Sequence, residues 1–307
     1  MINTFEELTS KTRELIESRG KPRAGIVVPG RGKCFEAALK AESEGLIEPV
    51  FIGDEPEIRK LTTEAGLDIG RFDIIDCSSN ETAVREAVAL CQTGRARFLL
   101  KGSLGTRELV RLLARPETEF IKRGQVFSHI GIVRTRHYRP LMLITDGAVN
   151  NEPDAARMIA ITQNAAAMAA RLGFDTPRAA LLAAVEAIYP AVPVTMEEAA
   201  IAKMSDRGQI KGVYIDGPLS FDVAIDAQVA RSKGITDSKV AGETNIFVAP
   251  SMETANGMYK AMIMYAGAAG AGIIFGGSVP VATTYAVDST ENVINSMMLA
   301  AYLALQK

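Results

Sequence analysis

The feature that most constrains the fold of this chain is an alternation of short apolar runs with longer segments of helical composition. Short strands that alternate with helices predict a parallel sheet covered by helices on both faces, the arrangement of an α/β protein. In the N-terminal part the predicted strands are Ala24–Val28, Pro49–Ile52, Phe72–Ile75 and Ala96–Leu100, and the predicted helices are Cys34–Glu44, Glu55–Gly66, Glu81–Gly94 and Thr106–Leu113.

The middle of the chain departs from this alternation. Ser128–Arg134 and Pro140–Thr145 are apolar runs joined by the basic, aromatic turn Arg136-His137-Tyr138-Arg139, which predicts an antiparallel pair. A length of 307 residues gives a prior of two domains, with a boundary within residues 124–140. Further strands are predicted at Arg178–Val185, Gly212–Asp216, Asn245–Ala249 and Gly272–Phe275, and helices at Pro153–Leu172, Met196–Asp206, Asp222–Arg231, Ala255–Ala266 and Thr290–Ala304.

Composition and charge exclude several classes of function. A net charge of −2, from 34 basic and 36 acidic residues, argues against a nucleic-acid-binding protein. Two histidines rule out a multi-histidine metal site, and three dispersed cysteines argue against a disulfide framework or a zinc site and fit a reducing cytoplasm. The most apolar stretch, Met258–Val281, contains Lys260 and many glycines. It predicts a buried helix and a buried strand, with no association with a membrane.

Ligands of parallel α/β sheets bind beyond the carboxyl ends of the strands, so the loops that follow the predicted strands are the candidate binding segments. Glycines in such loops allow close approach of a ligand, and backbone N–H groups at a helix start favour anions. None of the loops carries a complete GxGxxG or a GxxxxGK[ST] fingerprint, and no GxSxG nucleophile elbow occurs. The candidate loops are Pro29–Gly32, Lys101–Ser103, Thr145–Gly147, Asp216–Pro218, Pro250–Glu253 and Gly276–Ser278.

Three groups in or near these loops have both a functional and a structural interpretation. Arg207 could hold a phosphate through its planar guanidinium, or it could cap the helix that it follows. Asp216 and Asp222 could form a carboxylate pair, and Asp222 could equally be a helix N-terminal residue. His129 could act as a base, although a structural histidine is the commoner role for a histidine at the start of an apolar strand.

Several segments together give the chain a resemblance to the phosphate acetyl/butyryltransferases, and it looks closer to the butyryl branch. The similarity covers essentially the whole length. The segments that carry it are Ile144–Asn150 with Pro153-Asp154, Ala183–Glu186, Asp206–Gly212 running into Asp216–Ile225, and Asn256–Ala261.

The resemblance implies reversible transfer of an acyl group between coenzyme A and inorganic phosphate. Both are substrates, and no cofactor is bound permanently. The resemblance also implies two α/β/α domains with the active site in the cleft between them. This fold is similar to that of the isocitrate and isopropylmalate dehydrogenases. We expect residues 1–133 and 288–307 in the first domain and residues 134–287 in the second. Family members usually dimerise through the second domain, so a homodimer or higher homo-oligomer is expected.

One departure from the family pattern concerns a Ser-Arg pair that is expected after the last strand, shortly before an Asp-Ser-x-Glu stretch. Asp288-Ser289-Thr290-Glu291 is present, but counting without gaps from Pro280 places Tyr285 and Ala286 at the Ser-Arg positions. Loss of a bidentate cation would cost several kcal/mol of transition-state stabilisation, because phosphate and the developing oxyanion are both negative. The cations that remain on predicted ligand-facing loops are Arg31, Lys101 and Arg207.

By this resemblance, phosphate attacks the thioester carbonyl directly in a ternary complex, without a metal or a covalent intermediate. We predict Thr284 and Tyr285 as oxyanion donors and Asp288, or its neighbour Glu291, as the acid/base. A second set is predicted to bind substrate: Lys101, Asp146, Arg207, Asn256 and Ser278.

Two other functions compete with this one. A regulatory member of the family with weakened catalysis would keep the substrate-binding loops, and the Tyr285-Ala286 replacement favours it. A dehydrogenase of similar fold would need acidic metal ligands on one helix and a nucleotide loop, and the sequence contains neither.

Overall fold

The structure of the chain is a computed structural model that describes residues 1–30, 33–138 and 141–306. It divides into two compact units, which we call the terminal unit (Phe5–Phe127 with Gly270–Lys307) and the middle unit (Met1–Thr4 with Ser128–Ala269). The predicted α/β class is confirmed in both units.

Helices and parallel strands alternate through the terminal unit. Its strands lie in the order β3-β2-β1-β4-β11-β10, and all neighbours are parallel except β10 and β11, which are antiparallel. The elements are α1 (Phe5–Arg19), β1 (Arg23–Val27), α2 (Lys33–Ser43), β2 (Glu48–Gly53), α3 (Glu55–Glu64), β3 (Asp73–Asp76), α4 (Asn80–Gln92), β4 (Phe98–Lys101), α5 (Thr106–Leu113), β10 (Ala269–Phe275), β11 (Val281–Thr283) and α11 (Thr290–Leu305).

The middle unit also alternates helices with strands, and its strands lie in the order β5-β6-β9-β7-β8. Only the β5–β6 pair is antiparallel among these strands, which confirms the predicted antiparallel pair; Arg139 and Pro140 lie outside the described residues. The elements are β5 (Ser128–Arg134), β6 (Met142–Thr145), α6 (Ala155–Arg171), β7 (Arg178–Leu182), α7 (Pro193–Asp206), β8 (Tyr214–Leu219), α8 (Phe221–Ile225), α9 (Ala227–Ser232), β9 (Ile246–Val248) and α10 (Met252–Met264).

Helix α11 is the most apolar helix of the terminal unit, and it packs against α1 and α2. Its two buried polar side chains are both satisfied. The Asn292 side-chain oxygen accepts the Gly270 N–H at 3.0 Å, and the Ser296 hydroxyl oxygen accepts the Gly272 N–H at 2.9 Å. These bonds fix α11 on β10, because a buried N–H without a partner is costly.

The units differ from the sequence-based domain boundaries in three segments. Residues 1–4 fall in the middle unit, where the Ile2 N–H donates to the Leu172 carbonyl at 2.9 Å. Residues 128–133 fall in the middle unit, because β5 pairs with β6. Residues 270–287 fall in the terminal unit, because β11 pairs with β4 and β10 pairs with β11.

Three sequence predictions of individual elements need correction. The strand predicted over Arg178–Val185 ends at Leu182, and the helix predicted over Asp222–Arg231 is two short helices. The Asp226 side chain caps the start of the second helix, α9, by accepting the N–H groups of Gln228 and Val229. This cap separates α9 from α8. Strand β11 was not predicted at all. In the described part of the chain, no helix has both the length and the apolar character of a membrane span.

Candidate functional site

Two loops of the terminal unit meet in tight contact where β1 and β4 end. The Gly102 N–H donates to the Val27 carbonyl at 2.9 Å, and the Ser103 N–H donates to the Val28 carbonyl at 2.8 Å. A Cβ at Gly102 would lie 2.0 Å from that Val28 oxygen, so only glycine fits. Val28 itself has a φ of 47°, a strained conformation for a β-branched residue and one that concentrates at functional sites. Arg31, one of the three predicted cations, lies outside the described residues.

Lys101 ends β4 as a buried cation. Its ammonium donates to the carbonyl oxygens of Gly102 at 3.1 Å and Leu104 at 3.2 Å. Burial lowers the pKa of Lys101, and the nearby Cys34 thiol opposes that shift. The structure therefore places a partly desolvated positive charge at the carboxyl edge of the sheet, where the sequence predicted a phosphate-binding lysine.

Cys34 lies in the first turn of α2, near Lys101 and the segment that follows β11. Burial raises the pKa of Cys34, and the Lys101 charge and the Thr284 side chain oppose the rise. Because β4 and β11 are parallel neighbours, Lys101 and Thr284 lie at the same sheet edge. The structure thus places two predicted site residues at one sheet edge, near a cysteine that the sequence did not single out.

Asp288 holds the segment between β11 and α11 in place. It is fully buried, and its carboxylate accepts the Tyr285 N–H at 2.7 Å and the Asn292 side-chain amide at 3.4 Å. These contacts make Asp288 a residue that shapes the Tyr285 backbone, and an acid/base role for it stays a prediction. The neighbouring candidate Glu291 forms an ion pair with Lys40.

Ser278 lies in the exposed loop between β10 and β11, and its backbone N–H donates to the Phe120 carbonyl at 2.7 Å. The adjacent Gly277 approaches the rings of Phe120 and Phe127 so closely that a Cβ would lie 2.6 Å from the first ring. The loop is therefore anchored to the body of the terminal unit, and its role in substrate binding stays a prediction.

In the middle unit, Asp146 organises the loop that follows β6. Its buried carboxylate accepts the N–H groups of Ala148 and Val149 at 2.9 Å each, the N–H of His129 at 3.0 Å, and the Asn150 side-chain amide at 2.6 Å. Burial raises the pKa of Asp146, and these four hydrogen bonds oppose the rise. The pattern is that of a carboxylate that fixes backbone geometry.

Asn256 joins the same loop from helix α10. Its side-chain amide donates to the Gly147 carbonyl at 2.9 Å. The structure therefore brings Asp146 and Asn256, two residues predicted from the family resemblance, onto one loop at the carboxyl end of β6. His129 is buried beside them, in keeping with its structural interpretation.

A lysine-centred cluster lies where β7 and β8 end. The Lys233 ammonium contacts the carboxylates of Glu186 at 3.1 Å and Asp222 at 3.2 Å, and the Ser220 hydroxyl also bonds to both carboxylates. Burial raises the pKa of Glu186, but the hydrogen bonds from Ser220 and Lys233 outweigh burial and hold it below its ordinary value. Asp222 thus pairs with Lys233. Asp216 lines a separate polar pocket of about 520 Å³.

Arg207 is the C-cap residue of α7, and its side chain is exposed. Its backbone N–H donates to the Lys203 carbonyl at 3.2 Å. This is the capping position that the sequence allowed, and it leaves the guanidinium open to solvent.

The sequence missed Lys33, which the structure places on the predicted catalytic segment. Its ammonium donates to the carbonyl oxygens of Ala286, at 3.2 Å, and of Asp288. A sequence signal for Lys33 exists, because it directly follows the predicted ligand loop Pro29–Gly32, in which Arg31 was the predicted cation. Among the described residues, no group of three or more metal-ligating side chains is arranged to hold a metal ion.

Comparison with known proteins shows similarity over the full chain. The family model described as Phosphate acetyl/butaryl transferase matches residues 80–301. The phosphate butyryltransferase of Clostridium acetobutylicum is 34% identical over 307 residues, which is 100% of both chains. The phosphate acetyltransferase of Rhizobium meliloti is 38% identical over 88% of this chain and 85% of its own. The crystal structure of a branched-chain phosphotransacylase from Enterococcus faecalis has a TM-score of 0.80 at 27% identity, over 92% of this chain and 99% of that one.

Proposed function

This chain belongs to the phosphate acetyl/butyryltransferase family, and on that premise we propose that it transfers a short-chain acyl group reversibly between coenzyme A and inorganic phosphate. The observation that carries the proposal is the full-length identity of 34% to a phosphate butyryltransferase. The loops at the carboxyl ends of β4, β11 and β6 support it, because they hold the residues that the resemblance predicted.

In the proposed reaction, a phosphate oxygen attacks the thioester carbonyl carbon. The new C–O bond forms as the C–S bond breaks, and the electron pair of the C–S bond leaves with the coenzyme A thiolate. Two anions meet in this step, so the protein's task is to hold them together and to stabilise the oxyanion that develops on the carbonyl. Coenzyme A and phosphate are substrates, and no resident cofactor takes part.

We assign the roles within each unit separately. In the terminal unit, Lys101 attracts phosphate or a phosphate of coenzyme A, and the Thr284 hydroxyl and Tyr285 donate to the oxyanion. Asp288 fixes the Tyr285 backbone and remains the acid/base candidate, and Ser278 contributes to substrate binding. In the middle unit, Asp146 and Asn256 shape the loop after β6, and the exposed guanidinium of Arg207 binds phosphate.

The direct test is phosphate-dependent release of free coenzyme A from butyryl-CoA and from acetyl-CoA, followed with a thiol reagent. We expect release with at least one substrate, and the ratio of the two rates measures the preferred chain length. Arg207→Ala should raise the KM for phosphate, whereas the matched change Arg231→Ala, on an exposed arginine of α9, should not. An unchanged phosphate KM in Arg207→Ala would reject the role of Arg207.

The second candidate function is a regulatory member of the family that binds coenzyme A or an acyl phosphate without efficient turnover. Tyr285-Ala286, which stands where the family pattern has Ser-Arg, favours it. A rise in melting temperature on adding coenzyme A, together with no phosphate-dependent release from either acyl-CoA, would support this function over the enzyme.

We also propose that the protein is a homodimer that associates through the middle unit. An apolar groove of about 960 Å³ in this unit is lined by side chains that include Phe221, Met258 and Tyr265. Tyr265 is 88% exposed and its neighbour Met264 is 60% exposed, which is unusual for large apolar residues. Light scattering should give twice the chain mass for the wild type and a lower mass for Tyr265→Glu. A monomeric wild type would refute the dimer.

The cellular location that we propose is the cytoplasm. All three cysteines are free thiols, as expected in a reducing compartment. Fractionation of cells that express the protein, with detection by antibody, would test it, and recovery with the envelope would refute it.

A further inference from the structure

We propose that Lys33 is a phosphate-binding residue that supplies, from a different segment of the chain, the positive charge absent at Ala286. This inference rests on the proposed acyl transfer and names one more residue for it. It concerns a lysine that neither the motifs nor the composition singled out.

The position of the Lys33 ammonium is the first argument. It donates to the backbone carbonyl of Ala286 at 3.2 Å and to that of Asp288. The ammonium therefore lies directly on the segment between β11 and α11, which carries the predicted oxyanion donors Thr284 and Tyr285. Lys33 begins α2, so the start of this helix is held on the same segment by its first side chain.

The hydrogen-bonding capacity of Lys33 is the second argument. A lysine ammonium has three N–H donors and no acceptor, and the two carbonyls use two of them. Lys33 is exposed, and no third acceptor for its ammonium lies among the residues that the structure describes, so the remaining donor can reach a ligand from solvent. Both acceptors are neutral carbonyls, and no carboxylate in the described part of the chain forms an ion pair with Lys33, whereas Lys40 on the same helix is paired with Glu291.

The charge of the substrate is the third argument. Phosphate carries close to two negative charges at neutral pH, and charge-assisted hydrogen bonds to oxyanions are roughly twice as strong as neutral ones. Lys101 provides a buried cation at the same sheet edge, and its ammonium likewise donates to two backbone carbonyls. Lys33 and Lys101 together provide two positive charges within the terminal unit, equal in number to the negative charges of the phosphate dianion.

The test is a set of matched variants assayed for phosphate-dependent release of coenzyme A. Lys33→Gln keeps amide N–H donors for the two carbonyls but removes the charge. We expect its KM for phosphate to rise about tenfold, which corresponds to about 1.4 kcal/mol. The KM for butyryl-CoA and the melting temperature should stay close to those of the wild type. Lys40→Gln, which removes the same charge from the same helix, should leave both KM values unchanged.

A rescue variant separates charge from local structure. Adding Ala286→Arg to Lys33→Gln restores a cation on the same segment, and we expect the KM for phosphate to return toward the wild-type value. A phosphate KM in Lys33→Gln equal to that of the wild type would overturn the proposal. A variant in which both KM values rise and the melting temperature falls would also overturn it, because that is the result of a purely structural lysine.

Calorimetric titration with inorganic phosphate alone measures phosphate binding by Lys33 separately from acyl transfer, so the two proposals can fail independently. If the wild type releases no coenzyme A from either acyl-CoA, the enzymatic function fails, but weaker phosphate binding by Lys33→Gln than by Lys40→Gln still supports the role of Lys33. Equal phosphate affinity in these two variants would refute that role, whatever the activity of the wild type.

Discussion

Glu198 is the residue whose replacement should change the stability of this protein most clearly with pH. It lies in α7 with 0% of its surface exposed, and neither carboxylate oxygen has a hydrogen-bond partner in the described part of the chain. Burial raises the pKa of Glu198 to about 8, and the charge of the neighbouring Glu197 adds to the rise. The folded protein therefore holds this proton far more tightly than the unfolded chain does.

The magnitude follows from the size of the shift. A rise in pKa from 4.5 to about 8 corresponds to a penalty of about 5 kcal/mol on the ionised form, at about 1.4 kcal/mol per pKa unit. Local relaxation and water entry reduce such penalties, so we expect about 2–4 kcal/mol. Because the folded state binds the extra proton, the free energy of unfolding falls as the pH rises from about 4.5 to about 8. Below that window the penalty is absent.

Glu198→Gln removes the ionisation while keeping the size of the side chain. We expect the variant to lie within about 1 kcal/mol of the wild type at pH 5 and to be more stable by about 2–4 kcal/mol at pH 9, where the wild-type carboxyl is charged. Urea unfolding at both pH values measures the two differences. Glu197→Gln, on the half-buried neighbour, should show a much smaller change with pH. An equal stability difference between Glu198→Gln and the wild type at pH 5 and pH 9 would refute the reasoning.

Three further perturbations test other parts of the structure. Gly102→Ala should lower the free energy of unfolding by about 2–3 kcal/mol, because the added Cβ would lie 2.0 Å from a backbone oxygen. The control is Gly105→Ala, where the added Cβ meets open space. Equal urea midpoints for the two variants would contradict the steric argument. Asp146→Ala removes the acceptor of four hydrogen bonds, so calorimetry should show a loss of about 2–4 kcal/mol, and a wild-type melting temperature would argue against its organising role. Ser296→Ala leaves a buried N–H of β10 without its partner and should cost about 1–3 kcal/mol in urea unfolding; no loss would mean that another group accepts this bond.

The strand–helix alternation was predictable because it depends on local composition. Runs such as Pro49–Ile52 are bounded by glycine and charged residues, and the structure places β2 there, at Glu48–Gly53. Strand β11 escaped prediction because three residues after a proline carry no periodicity, and its pairing with β4 depends on residues far away in sequence. The split between α8 and α9 depends on one side chain, Asp226, whose capping geometry composition does not reveal.

The candidate site was predictable only as a set of loops. Strand ends and glycines pointed to the segments around Lys101 and Asp146, and the structure shows how each is held. The partners that hold them were not predictable. Lys33 reaches Ala286 across 253 positions of the chain, and such a contact requires the fold to be known. Motif spacing therefore pointed to the candidate loops, and the proposed phosphate-binding role of Lys33 could be inferred only from the three-dimensional pairing.

The discontinuity of the terminal unit has a consequence for the order in which the protein folds during synthesis. Residues 5–127 leave the ribosome before the rest of the terminal unit, so their sheet lacks β10 and β11, and α1 and α2 lack the helix α11 that packs against them. The whole middle unit is synthesised before those elements appear. The apolar surface that α11 later buries is therefore exposed throughout that interval, and such surfaces promote aggregation of nascent chains. The N-terminal part of the terminal unit therefore cannot bury this surface until α11 has been synthesised.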